Sequence, residues 1–208
     1  MTTSLKSDFY LLRGYLKSLL GVYFFMIVIA FIQKNTFMAN FYPAFLAIYM
    51  PYTLFSLGQQ SGWETMLLSA PVSRKGLVGG RYAMCLAVDL GMLLIGFGAS
   101  SVIEPDAIRE HICALLFTLA LVIVLNAVLL PVIYQFGITH ARFVILAICL
   151  IPALALPLSE VVDLRPMAEI FTRMLTSIPA LLVLCISALV FLALSYLLSC
   201  AIYRRKEF

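Results

Sequence analysis

The sequence predicts an all-α, polytopic membrane protein of six transmembrane helices, with one further helix lying in the membrane interface at its N-terminus and another, short and cytoplasmic, between the second and third spans. Three observations carry this. Hydrophobic residues fill 63% of the 208 positions and the mean hydropathy is +1.07, which leaves too little polar surface to coat a soluble globule. Six apolar runs approach the ~20 residues that a helix needs to cross about 30 Å of hydrocarbon. Alternating strand patterns are absent, and backbone groups in lipid must be satisfied within their own segment, so helices are favoured over a barrel.

The opening stretch SLKSDFYLLRGYLKSLL sets Leu5, Phe9, Leu12 and Leu16 at helical spacing, with Lys6, Arg13 and Lys17 on another side. That pattern suits a helix in the inner interface, or a cytoplasmic extension of the first span. The first run, 16–32, exits through AFIQKNTF without a small-x-small cleavage site, so it is read as a retained span and not a signal peptide. The second run is 41–58. A polar break follows, then runs at 82–103 and 112–134. The fifth run, 143–158, rises only about 24 Å as helix, and Pro152 and Pro157 interrupt its outer half. In PMAEIFTRMLTSIP, the residues Met167, Ile170, Phe171, Met174, Leu175 and Ile178 repeat as on an amphipathic helix. Residues 159–178 are therefore either re-entrant or surface-lying. The last run is 179–203, and all six belong to a single transmembrane domain spanning residues 1–208.

Lysines and arginines orient this map. With the N-terminus inside, ten of the fourteen fall on the inner side and only Lys34, Arg109, Arg165 and Arg173 on the outer. A multi-pass protein of the cell membrane with both termini cytoplasmic is expected. Six of the ten acids fall outside. The net charge of +4 is thereby a topology signal and gives no reason to invoke nucleic acid.

Chemistry-bearing motifs are missing from the sequence. There is no G-x-x-x-x-G-K-[ST], G-x-S-x-G or H-E-x-x-H, and no paired carboxylates lie within a run. Cys85, Cys113, Cys149, Cys185 and Cys200 are scattered without a C-x-x-C pair, which reads as buried free thiols. His111 and His140 fall on opposite sides of the membrane, so no metal site is expected. Gly76 and Gly80 match G-x-x-x-G, read as local helix packing. No enzyme is indicated, and no cofactor in this chain.

The break after the second run, QQSGWETMLLSAPVSRKGLVGGRY, is too long for a minimal turn and falls on the cytoplasmic side. Trp63, Met66 and Leu67 can share a helical side with Ser69 or Ala70, and Glu64 can cap or pair nearby. Pro71 stops the helix, and Arg74 and Lys75 meet the headgroups. An aromatic and apolar surface in water calls for a partner.

With glutamate and tryptophan near L-L-S-x-P-V-S-R-K, the start of a new span at Arg81 and Tyr82, and the opening KSDFYLLRGYLKSLL, the chain resembles the permease subunits of bacterial type-2 ABC exporters, in the small six-span subfamily. Arg81 stands where that family usually has lysine. The sharp resemblance is confined to residues 6–17 and 63–82; beyond residue 110 it is one of topology. It implies a coupling helix that inserts into a separate ATP-binding subunit: Trp63, Glu64, Leu67 and Leu68 would contact the ATPase, with Pro71, Ser73, Arg74 and Lys75 ending the element. It further implies two ATPase chains that bind ATP and magnesium, a second permease copy or paralogue, and cargo moving outward along the permease interface.

Asp89, about two turns into the third run, is a candidate for that path, since an ionisable group at such depth is a functional candidate by default. The other reading is a structural hydrogen bond within the bundle. Asn126 and Gln135, in and at the end of the fourth run, are lesser candidates. Walls of Phe, Met, Leu and Tyr would suit an amphipathic peptide, a lipid or an apolar drug. Two further classes stay open: a noncatalytic assembly or immunity protein, and a secondary transporter, for which no repeat between the two halves is visible.

Overall fold

The computed structural model describes residues 2–60, 74–161 and 175–205. These form helices α1 (Thr2–Gln33), α2 (Phe37–Gln60), α3 (Arg74–Ile103), α4 (Ile108–Val161) and α5 (Ile178–Arg205), with a 3-10 turn at Pro105–Ala107 and no strand among the described residues. Among the described residues four stretches are long and apolar enough to cross a membrane: Leu12–Gln33, Lys75–Ile103, Pro105–Ala147 and Ile178–Arg204. The expected second run is helical but is not among the four. Tyr42, Tyr49, Tyr52, Pro43 and Pro51 dilute the hydropathy of α2.

The N-terminal amphipathic stretch is not a separate interfacial helix, because α1 runs unbroken from Thr2 to Gln33. It ends in a Schellman motif. Asn35 N donates to Ala30 O (3.1 Å) and Lys34 N to Phe31 O (3.4 Å), with Lys34 itself at φ 49°; that left-handed turn satisfies the last carbonyls. One residue later the Thr36 carbonyl accepts from Asn40 N at 3.1 Å, which starts α2. α3 begins at Arg74, eight residues before the expected start of the third run, so the stretch around Arg81 is helix and not loop.

Where a loop at 135–142 is expected between the fourth and fifth runs, α4 breaks at a single residue. Gly137 sits at φ 79°, ψ 177°, a region open essentially to glycine alone. The expected 143–158 run is the second part of α4.

Cross-helix contacts give each helix a direction. Tyr23 of α1 reaches Met92 of α3, while Leu12 clusters with Val78 and Tyr82, so α1 and α3 are parallel. α2 opposes them: Asn40 pairs with Ser100, Ala47 with Leu93, and Phe55 with Arg81. The first part of α4 runs with α2, since Ala47 clusters with Val122 and Phe55 meets Tyr134. α5 runs the same way, with Cys185 against Leu116, Ser195 against Ala127 and Tyr203 against Tyr134. The beginning of α1 and the end of α5 therefore share one end of the bundle.

Close packing between these helices is chemically specified. The buried Tyr23 hydroxyl donates toward the carbonyls of Ala39 and Met92, each at 3.0 Å, and its ring stacks on Tyr42 at 4.9 Å. Gly96 permits this, because a Cβ there would stand 2.5 Å from both Ala39 O and the Tyr23 hydroxyl. Outward faces are apolar: Phe24, Phe25 and Ile32 on α1, Leu94 and Val102 on α3, and Val183, Ile186 and Leu197 on α5 are all exposed. In a bilayer such faces lie against lipid or another apolar helix.

Candidate functional site

Most of the expected coupling element, namely Trp63, Glu64, Leu67, Leu68, Pro71 and Ser73, lies outside the described residues. Its last two members, Arg74 and Lys75, form the first turn of α3, where Lys75 is exposed. Just inside stands a feature that the sequence reading treated as an ordinary inner-side cation. Arg81 is only 5% exposed, with its guanidinium carbon 4.1 Å from the centroid of the Phe55 ring. Phe55 in turn meets Tyr134 edge-on at 4.9 Å, and Tyr134 meets Tyr203 at 5.5 Å. Next to it, Tyr82 bonds to the hydroxyls of Ser195 and Ser199, both at 2.8 Å. A guanidinium on an aromatic face keeps a favourable partner when removed from water. This cluster joins α2, α3, α4 and α5 at the end of the bundle from which the 61–73 segment departs.

Deeper in, α3 and α4 are bridged by two of the predicted path residues. Asp89 falls at the midpoint of the apolar run Lys75–Ile103, further from the surface than the expected span boundary implied. Both Asp89 and Asn126 are fully buried at 0% exposure. Asn126 Nδ2 donates to Asp89 Oδ2 at 2.7 Å and to Val122 O at 3.0 Å, which uses both amide hydrogens. Asp89 Oδ1 and Asn126 Oδ1 have no donor among the described residues. The site is an enclosed interhelical clasp with two spare acceptors, and cargo has no access to it in this conformation. Gln135 does not join it: nine residues beyond Asn126, at 100° per residue, it falls on the opposite side of the helix, and it is exposed.

At the other end of the bundle a cavity of about 830 Å³ opens between the α1–α2 turn, the start of α4 and the chain leading into α5. Asn40, Arg109, Glu110, His111 and Thr118 give its wall polar groups, and Phe117 an apolar one. His111 is buried and donates from Nε2 to the Glu104 carbonyl at 2.9 Å. No part of the sequence reading anticipated this cavity. Its residues are dispersed over segments that only the packing brings together, and the polar ones read singly as span-end residues.

Among the described residues no group of three or more His, Cys, Asp or Glu side chains could hold a metal ion. Cys113, Cys185 and Cys200 are buried free thiols, and Cys85 is buried as well.

A helical bundle with lipid-compatible faces and span-length apolar helices is the architecture of a multi-pass membrane protein. Residues 5–204 match the family described as ABC-2 family transporter protein, so the chain belongs to that family and is a membrane permease component of an ABC transporter. Such components are not themselves catalytic and work with ABC ATPases. No curated protein matches the chain in sequence.

Proposed function

We propose that this chain is the membrane-spanning subunit of an ATP-driven exporter, joined to a second permease copy or paralogue and to two ATPase chains that carry the ATP and magnesium. The observation that carries the reading is the family match over residues 5–204 in a sequence that lacks any phosphate-cradle motif. The energy source must then dock from outside. The segment around Trp63 and Glu64 is the proposed docking element, and the positive-inside count sets it and both termini in the cytoplasm of the plasma membrane.

Six crossings are proposed for the bundle. Parallel running of the first part of α4 with α5 supports this, because the chain has to return once between them. The antiparallel course of α2 between the parallel α1 and α3 argues likewise for a crossing there. An arginine–aromatic cluster directly behind the docking segment would pass a push at α3 to α4 and α5 as a rigid displacement. Asp89 and Asn126 join the cargo path only in a state in which α3 and α4 have moved apart. An amphipathic peptide, lipid or apolar drug is the cargo class that the walls suit.

The test is a reconstituted complex carrying Trp63→Ala with Glu64→Ala. Transport-coupled ATP hydrolysis is expected to fall several-fold while membrane insertion stays as in the parent. Undiminished coupling in that double variant would remove the docking role from this segment.

A further inference from the structure

The cavity at the end of the bundle away from the termini continues into a second, wholly apolar one of about 250 Å³ between α4 and α5. The two share Phe117 and Leu175 as walls. Along α4 a single stripe at spacings of four and three, Glu110, Ala114, Phe117, Leu121 and Val124, runs from the polar mouth to the end of the apolar trough. That stripe rises about 21 Å. One leaflet offers about 15 Å of hydrocarbon plus a headgroup layer of roughly 5–7 Å, so the two cavities together span one leaflet from headgroup to midplane.

The mouth has the groups for a headgroup. Arg109 and Glu110 are neighbours, both exposed, and neither forms an ion pair among the described residues. Behind them Thr118 lines the cavity while only 3% exposed. Its hydroxyl adds a hydrogen-bonding group to that wall. The larger volume falls in the range of small-molecule sites, about 300–1,000 Å³.

We infer that this site holds one zwitterionic phospholipid of the leaflet opposite the termini. Its phosphate lies toward Arg109, its ammonium toward Glu110, and one acyl chain along Phe117, Leu121 and Val124. One cation beside one anion selects a zwitterionic over an anionic headgroup, and the trough, walled only by apolar side chains, selects a hydrocarbon chain over a peptide. The assignment stands whether or not the chain is driven by ATP.

The full-length protein, with whatever subunits copurify, is placed in vesicles of equal parts phosphatidylethanolamine and phosphatidylglycerol. In parallel samples a trace of one lipid or the other carries a photoreactive diazirine near the end of one acyl chain, and the labelled peptides are mapped. The ethanolamine probe is expected to label residues 117–124 about fivefold more than the glycerol probe does, as follows from ~1 kcal/mol at a partly exposed charge pair. It should also label them several-fold more than the open faces around Phe25 and Leu94. Leu121→Trp, which fills the trough, should lower the labelling to that of the open faces. Arg109→Ala with Glu110→Gln, both at exposed positions, should abolish the headgroup preference. Equal labelling by the two probes in the parent protein, or labelling of 117–124 no stronger than around Phe25, would overturn the assignment, as would loss of the label to an added amphipathic peptide. Should Leu121→Trp fail to fold, the headgroup contrast in the parent protein decides.

Discussion

Asp89 and Asn126 illustrate what a single polar pair does at the middle of an apolar bundle. Neither side chain reaches solvent, and the amide is the donor that the carboxyl keeps there. Removing one member strands the other, whereas removing both leaves apolar contact; the two single losses are therefore non-additive. Asn126→Leu is expected to destabilise the protein by about 1–3 kcal/mol, and Asp89→Leu/Asn126→Leu by less than the sum of its parts, measured by thermal unfolding in detergent. Strict additivity would mean that the clasp does not couple α3 to α4. Asp89→Asn keeps a polar group facing Asn126: lowered thermal stability with unchanged transport marks the pair as structural, and lost transport at unchanged stability marks it as part of the path. That these two residues are unusual was legible from their polarity within apolar runs. Their partnership was not, because it depends on which sides of α3 and α4 face each other. Arg81 was legible only as an inner-side cation at the start of the third span; its burial against Phe55 depends on packing that the sequence does not display.

Helix existence was legible from the apolar runs, while helix boundaries were not. α3 starts eight residues before the expected run, because Arg81, the cation at which that run was cut, is buried within the helix and the apolar stretch continues back to Lys75. α2 shows the converse: its tyrosines and prolines lower its hydropathy, yet it packs at the centre of the bundle, with Leu46, Ala47, Met50 and Leu54 all buried. The sharpest element-scale feature is the one-residue break at Gly137. No atom lies within 4 Å of a Cβ built there, so the constraint is the backbone angle alone. Gly137→Ala is expected to cost about 1–3 kcal/mol, seen as a melting temperature lower by about 2–4 °C per kcal/mol. An unchanged melting temperature would show that the break does not require glycine. Gly91 and Gly98 serve as controls, since both lie in α3 with open space around them and no unusual angle, and alanine there should be nearly neutral or slightly stabilising.

For the whole molecule, composition alone specified a helical membrane protein, and the family match over residues 5–204 makes it a permease component. The sequence carries no phosphate-cradle motif, and the proposed function has force applied to this bundle by another chain. The segment between α2 and α3 is where that force is proposed to enter, directly ahead of Arg81 and the helices it ties together. The most direct measurement is affinity purification of the tagged full-length chain, cross-linked in its own membrane before mild detergent extraction, followed by identification of what remains bound. The account predicts a P-loop ATPase in equal amount to the permease, with its recovery reduced by Trp63→Ala together with Glu64→Ala. Recovery of this chain without any ATPase, after cross-linking as well as without it, would contradict it.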